Sequence, residues 1–230
     1  MIRDVVVTVP AADEQDEIAG CLGAVQAAIE RLHAETDLAA HIVVTLDDCR
    51  DRTPQVVAQF AQVHAVVASA RRVGAARRQA AEAGLARFGP PERVWLTSTD
   101  ADSRVSLDWL TSMIAEARRG AELVLGTVRP GPGLPVATEQ AWRAAHQLSD
   151  GHPHVHGANL GISGAAYVRI GGWSDLVAHE DVELVQRAVA AAVPVARSGG
   201  APVLTSTRLE GRTPDGFAAY LRALQDGMPA

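Results

Sequence analysis

Residues 93–103 read RVWLTSTDADS: an apolar run rich in Val, Leu and Thr that passes straight into two carboxylates one residue apart, Asp100 and Asp102. Working outward, DVVVTV (4–9), HIVVTL (41–46), HAVVAS (64–69) and AELVLGTV (121–128) are runs of the same kind, as expected of strands covered on both faces. Residues 14–35, 53–62, 74–88 and 106–119 between them are Ala-rich with helical spacing. In the first, Ile18, Leu22, Val25, Ile29 and Leu32 recur at three- and four-residue steps and form one apolar stripe. This alternation predicts an α/β domain with a mostly parallel central sheet flanked by helices. The carboxyl ends of its strands would then share the edge where open α/β sheets bind ligands. After residue 128 the rhythm changes. A Pro/Gly loop, RPGPGLP (129–135), precedes predicted helices over 137–149, 180–192 and 214–225 and a strand near 202–207. No repeat or low-complexity linker marks a boundary, so residues 1–230 read as a single domain.

Composition narrows the classes. The chain has 230 residues, 47% apolar and 21% charged, with 21 basic and 27 acidic side chains for a formal charge of −6. That balance suits a soluble globular protein and gives no basic footprint for nucleic acid. Cys21 and Cys49 form neither a disulfide framework nor a zinc spacing. The opening MIRDVVVTVP carries Arg3 and Asp4, unlike a signal peptide, and no apolar run approaches the roughly 20 residues of a transmembrane helix. A cytoplasmic protein is expected; its oligomeric state is left open.

Several segments carry chemistry. Two carboxylates at a strand end can share a hard cation such as Mg²⁺ or Mn²⁺ while leaving sites for water and phosphate, although acidic residues also suit turns and helix starts. In DDCRDRT (47–53), Asp51 is expected to cap the next helix, with Pro54 in its first turn, leaving Asp47 or Asp48 for a ligand. RRVGAARR (71–78) gathers four arginines around Gly74 where a strand gives way to a helix. Free N–H groups and forked guanidinium donors there match phosphate; Arg77 and Gly74 are the favoured contacts and Arg78 a solvated face. Glu180 and Asp181 open a helix after His179, where the dipole favours acids; a carboxylate facing a cleft could also take a proton from a hydroxyl. His152, His154, His156 and His179 are each open to reading as ligand, base or polar loop residue, and GANLG (157–161) as a snug loop whose Asn159 reaches a ligand. No GxGxxG follows the first strand, where the chain reads VPAADEQDE, which disfavours a dinucleotide site.

Taken in order, VPAADE (Pro10, Ala11, Asp13, Glu14), DDCRDRT, RRVGAARRQA, TDADS (99–103), HGANLGIS, GGW (171–173) and HED (179–181) resemble glycosyltransferase family 2, built on the GT-A fold, over about residues 4–192. The family often has Asn where Asp13 stands. The resemblance implies a metal-dependent, inverting transfer of a sugar, hexosyl by expectation, from a nucleoside-diphosphate donor to a hydroxyl acceptor. Residues 1–128 would form the nucleotide-sugar half and 129–230 the acceptor half and tail. Pro10, Ala11, Glu14 and Asp48, with Asp47, would line the nucleotide pocket, and Gly74 and Arg77 would approach the diphosphate. Asp100, Ala101 and Asp102 form the DxD element, with Asp102 and Asp100 on Mg²⁺ or Mn²⁺. Asp181, beside Glu180, would be the general base. Gly157, Asn159 and Trp173 would border donor sugar and acceptor, and Arg208 and Arg212 would close over the diphosphate or receive an anionic acceptor. No histidine follows His179, which leaves a third protein ligand for the metal unassigned. The alternatives are a sugar-nucleotide nucleotidyltransferase, disfavoured because the chain has no Gly-rich loop after its first strand and no lysine, and a non-catalytic nucleotide-sugar-binding protein on the same fold.

Overall fold

Val5, Val6, Val7 and Val9 are all fully buried, so the first strand must be covered on both faces. The computed structural model describes residues 1–209 and 216–226. In chain order the elements are β1 (Asp4–Ala11), α1 (Ile18–Glu35), β2 (Ala39–Asp47), α2 (Thr53–Val57), β3 (Val63–Ala68), α3 (Val73–Phe88), β4 (Val94–Ser98), β5 (Ser103–Arg104), α4 (Trp109–Arg118), β6 (Leu123–Pro130), α5 (Val136–Ala145), β7 (Leu160–Ser163), α6 (Gly164–Arg169), α7 (Glu180–Ala190), β8 (Val195–Thr205) and α8 (Phe217–Gln225). The strands form one sheet in the order β3-β2-β1-β4-β7-β6-β8-β5. Neighbours β3, β2, β1 and β4 run parallel, as do β6 and β8. Between these groups β7 is antiparallel to both β4 and β6, and β5 is antiparallel to β8. The result is the mostly parallel α/β sheet that the alternating runs predict.

The period of two along a strand sorts the valines into two cores. Val5, Val7 and Val9, with Ile42 and Val44 of β2, pack against Ile18, Leu22, Val25 and Leu32 of α1 and against Trp109, Leu110 and Met113 of α4. Val6 and Val43 face the other way, toward Ala80 and Ala81 of α3, and share that core with Leu184 of α7, Tyr167 and Trp173. The α3 face is built from Ala and Gly because the helix lies close to the sheet. A Cβ on Gly84 would stand 2.6 Å from Val6 Cγ1.

Boundaries differ from the sequence reading in instructive ways. The strand read near 202–207 begins at Val195, because Val195–Ser198 already pairs with β6 and the strand resumes at Val203 after a register irregularity. The helix read over 53–62 ends at Val57, and the one read from 14 begins at Ile18, freeing Glu14 for a different use. Residues 210–215, where the last predicted helix was to begin, lie outside the described set. Short β5 and β7 and the helix α6 were not expected. Among the described residues no helix is long and apolar enough to cross a membrane.

This sheet order sets the functional edge. The carboxyl ends of β1, β2 and β4 lie side by side, and the pairing Ser103↔Thr205 brings the end of β8 against the Asp100–Asp102 turn. Gly84→Val should force α3 off β1 and cost about 1–3 kcal/mol, as overpacked cores do; a lowered urea midpoint with unchanged slope checks this.

Candidate active site

A cavity of about 870 Å³ opens along this edge. One side is made by the loop after β1 and the end of β2, with Pro10, Ala11, Glu14, Asp47 and Asp48 on its wall. The two loops are tied together. Asp13, in the left-handed region at φ 54°, accepts the N–H groups of Arg50 and Asp51 at 2.6 and 3.2 Å, and Glu14 N–H donates to Thr53 Oγ1 at 2.7 Å. Asp51 accepts Thr53 N–H at 2.8 Å and Gln15 N–H at 2.9 Å, so it joins the loops and takes up the first N–H of α2, whose cap position is Arg52 and not the expected Asp51. Asp47 is only 4% exposed and its two oxygens accept the N–H groups of Arg71 and Arg72 at 3.0 and 3.2 Å. It shapes the turn into α3 and has little left for a ligand. Asp48, at φ 48°, is the more open of the pair and meets Arg71 and Arg50.

Arg77 organises the floor. Its guanidinium is 3% exposed and donates to Asp100 Oδ1 at 2.6 Å, Glu180 Oε1 at 3.1 Å, the Gly157 carbonyl at 2.9 Å and Ser98 Oγ. The sequence places Arg77 on the diphosphate; the structure commits its donors to the protein. Gly74 lies off the cavity wall. Its N–H meets the Leu176 carbonyl at 3.3 Å, and a Cβ there would strike the Ser174 carbonyl oxygen, so the glycine serves close packing of α3 on the 174–176 turn. Trp173 is also outside the cavity. It is 2% exposed in the second core, with the Arg77 guanidinium 5.4 Å from its ring centroid, a cation–π contact that supports Arg77.

Asn159 does not reach a ligand either. It is 1% exposed, accepts Trp109 Nε1–H at 2.8 Å, and donates to the carbonyls of Thr127 and Ala201 at 2.8 and 3.0 Å. Its amide lies in the turn just before β7 and is held inside the core by these three bonds. Gly157 remains at the wall. Its N–H donates to Asp181 Oδ2 at 2.7 Å, while Asp181 Oδ1 accepts Val182 N–H at 2.8 Å. Asp181 and Glu180 both line the cavity. Glu180 is buried, and that burial raises its pKa against the opposing pull of Arg77.

Asp100, Ala101 and Asp102 face the same space. Burial, then the neighbouring Asp100 charge, push the Asp102 carboxyl up to about 6, and Arg208 opposes the rise. Arg208 reaches in from beyond β8: its two terminal nitrogens each lie 2.9 Å from an oxygen of Glu14, and Nη2 lies 2.9 Å from Asp102 Oδ2. Arg212 lies outside the described residues. Among the described residues no group of three or more His, Cys, Asp and Glu side chains is disposed to hold a metal by itself. A Mg²⁺ or Mn²⁺ ion at a nucleotide site, however, takes only one or two carboxylates and completes its shell with phosphate and water. Asp100 and Asp102, hard oxygen donors crowded enough to raise one pKa, fit such an ion.

The histidines form a feature that the sequence reading left unresolved. His146 stacks on Trp142 and His154 at centroid distances of 4.4 and 4.9 Å; His152 and His156 stack on either side of His154 at 5.8 and 5.9 Å, and Tyr220 meets His146 edge-on. Their rings lie nearly parallel, so they do not converge on a shared ion. His146, His156, Phe217 and Tyr220, with the aliphatic Val155 among them, give the far side of the cavity a largely aromatic wall. The i, i+2 spacing of His152, His154 and His156 was the available signal, since in an extended chain it places side chains on one face.

A model of the family described as Glycosyl transferase family 2 matches residues 6–168. The chain belongs to this family. The sequence has no match among curated proteins. Among solved structures it is similar to residues 1–349 of Staphylococcus aureus TarS in complex with UDP (15% identity, TM-score 0.65, 89% of this chain and 61% of that one). It is also similar to the mannosyltransferase PcManGT of Pyrobaculum calidifontis in complex with GDP-Man and Mn²⁺ (16% identity, TM-score 0.66, 98% and 61%). A further likeness is to 4-diphosphocytidyl-2C-methyl-D-erythritol synthase (15% identity, TM-score 0.52, 98% and 100%). The chain thus spans about three fifths of the length of the two glycosyltransferase structures. At these identities the likeness is one of fold, and the fold is GT-A.

The histidine stack sets a pH dependence. Burial lowers the pKa values of His152 and His154 and takes that of His156 from 6.5 to about 3. Between those two values the unfolded chain binds a proton at His156 that the folded chain refuses. Stability is therefore complete above pH 6.5 and falls with acid, by up to about 1.4 kcal/mol per pH unit from His156. Asp102, with its folded pKa raised, opposes this between about 6 and its ordinary 3.8. Urea midpoints at pH 7.5 and 5.5 should show the loss, and His156→Asn should flatten it.

Proposed function

We propose that this member of the family transfers a sugar from a nucleoside-diphosphate donor to a hydroxyl acceptor with inversion at the anomeric carbon. The observation that carries the reading is the placement of Asp181 and the Asp100–Asp102 pair on one cavity, with Arg77 bonded to both Asp100 and Glu180. Pro10, Ala11, Glu14 and Asp48 would hold the nucleoside, and residues 1–128 would supply most of that half. Gly157 and the aromatic wall would border sugar and acceptor. Asp100 and Asp102 would hold Mg²⁺ or Mn²⁺, which when bound neutralises charge on the departing diphosphate.

Asp181 is the general base of this reading. Its carboxylate is aimed by Gly157 N–H and Val182 N–H, which leaves lone pairs for an acceptor hydroxyl at the cavity. As the acceptor oxygen bonds to the anomeric carbon, its proton passes to Asp181, and the breaking carbon–oxygen bond leaves its electron pair on the diphosphate. Glu180, buried against Arg77, is assigned to positioning.

A second reading, nucleotidyl transfer, draws support from the full-length likeness to the diphosphocytidyl-methylerythritol synthase. It would join a sugar phosphate to a nucleoside triphosphate and release pyrophosphate, so a product assay separates the two. Inverting transfer is favoured because Asp181 has a place in it. A thermal-shift panel of nucleotide sugars with and without Mn²⁺ should show a donor-dependent rise in melting temperature. Asp181→Asn should lower transfer by about 10²–10⁴-fold while leaving Mn²⁺-dependent donor binding within about twofold, a difference of only about 0.4 kcal/mol; normal turnover would remove Asp181 from the base role. Asp102→Ala should abolish the part of donor affinity that depends on Mn²⁺, and identical affinity with and without the ion in wild type would defeat the metal assignment.

A further inference from the structure

Arg208 stands where the carboxylates most need a positive charge. Its fork spans both oxygens of Glu14, and the same Nη2 reaches Asp102. The strand end that delivers it is clipped to the carboxylate turn by Ser103↔Thr205 pairing and a 3.1 Å bond from Ser103 Oγ to Thr205 Oγ1. Asp100 is held separately by Arg77. Each member of the Asp100–Asp102 pair therefore already has a cation belonging to the protein.

The two arginines differ in freedom. Arg77 is 3% exposed with donors committed on several sides, so moving it would strand buried charges. Arg208 is 32% exposed, and among the described residues its guanidinium engages only Glu14 and Asp102. It is the one of the two that can leave. A divalent ion arriving at Asp102 would meet repulsion from a guanidinium already bonded to that carboxylate.

Resting on the metal-dependent reading above, we propose that Arg208 is a tethered counter-ion that holds the divalent cation's place in the nucleotide-free enzyme and must be displaced from Asp102 before the ion binds. Once displaced, Arg208 faces the cavity, where a diphosphate would receive it. The ion alone is then penalised and the ion with a nucleoside diphosphate is favoured, so the two ligands bind cooperatively, and reciprocally so. The tail arginine sets that coupling.

The test is Mn²⁺ binding without turnover, read from the free-ion electron paramagnetic resonance signal, for wild type, Arg208→Gln and Arg208→Lys, each with and without UDP or GDP. Arg208→Gln should bind Mn²⁺ alone about tenfold more tightly than wild type, a change of about 1.4 kcal/mol, and the nucleotide should enhance its Mn²⁺ affinity less. Arg208→Lys, which keeps the charge but loses the fork, should fall between. An unchanged urea midpoint for Arg208→Gln separates this gain from carboxylates exposed by misfolding. Equal or weaker Mn²⁺ binding by Arg208→Gln, with wild type binding the ion in the presence of nucleotide, overturns this inference alone. No uptake of Mn²⁺ by any form, with or without nucleotide, overturns the metal reading as well.

Discussion

The Arg77 guanidinium, shut away from solvent, donates to Ser98 at the end of β4, to Asp100 in the turn that follows, to the Gly157 carbonyl and to Glu180 at the start of α7. The Ser98–Asp100 turn, Gly157 and Glu180 come from three separate parts of the sequence and meet on one planar group with five N–H donors. A lysine ammonium, with three donors and no plane, could not serve all of them. Removing one partner of a buried pair costs about 3–5 kcal/mol, because the charge left behind has no solvent to turn to. The floor of the cavity therefore behaves as one unit, and the separation between the carboxylate turn and the Asp181 helix is set from beneath.

The outer face of the same carboxylates is arranged differently. Glu14 and Asp102 meet an arginine that is one third exposed and reaches in from the far end of the chain. A rigid cation below and a releasable one above give the pair two distinct neighbours. The lower fixes geometry, while the upper governs how readily the carboxylates accept something else.

Much of this was legible in the sequence where one physical rule dominated. Valine-rich runs marked the strands covered on both faces, and Asp100 and Asp102 could be placed at the cavity because strand ends share one edge. Asp181 was placed by the family resemblance, its position at a helix start alone being open to a plain dipole reading. The misses have particular causes. LGIS and SR are too short to show a period, so β7 and β5 were invisible. The loop-like stretch 199–202 lies in an irregularity between Ser198 and Val203, which both pair with β6 and so make one strand of the two ends. Asn159, Trp173 and Gly74 stand within segments that do build the cavity, but order along a chain does not say which way a side chain turns. Asn159 went to the core, Trp173 lies against Arg77, and Gly74 allows α3 to approach its neighbour.

The Ser103–Thr205 clasp joins residues 102 positions apart, and it is this clasp that puts the tail beside the carboxylate turn. During synthesis the amino-terminal strands can pair early, yet the cavity lacks the wall beside Thr205 until β8 has been made and has inserted between β6 and β5. Such distant pairings form late because loop closure must precede any reward from contact. Completion of the cavity wall is thereby postponed until β8 has been made and has paired with β6.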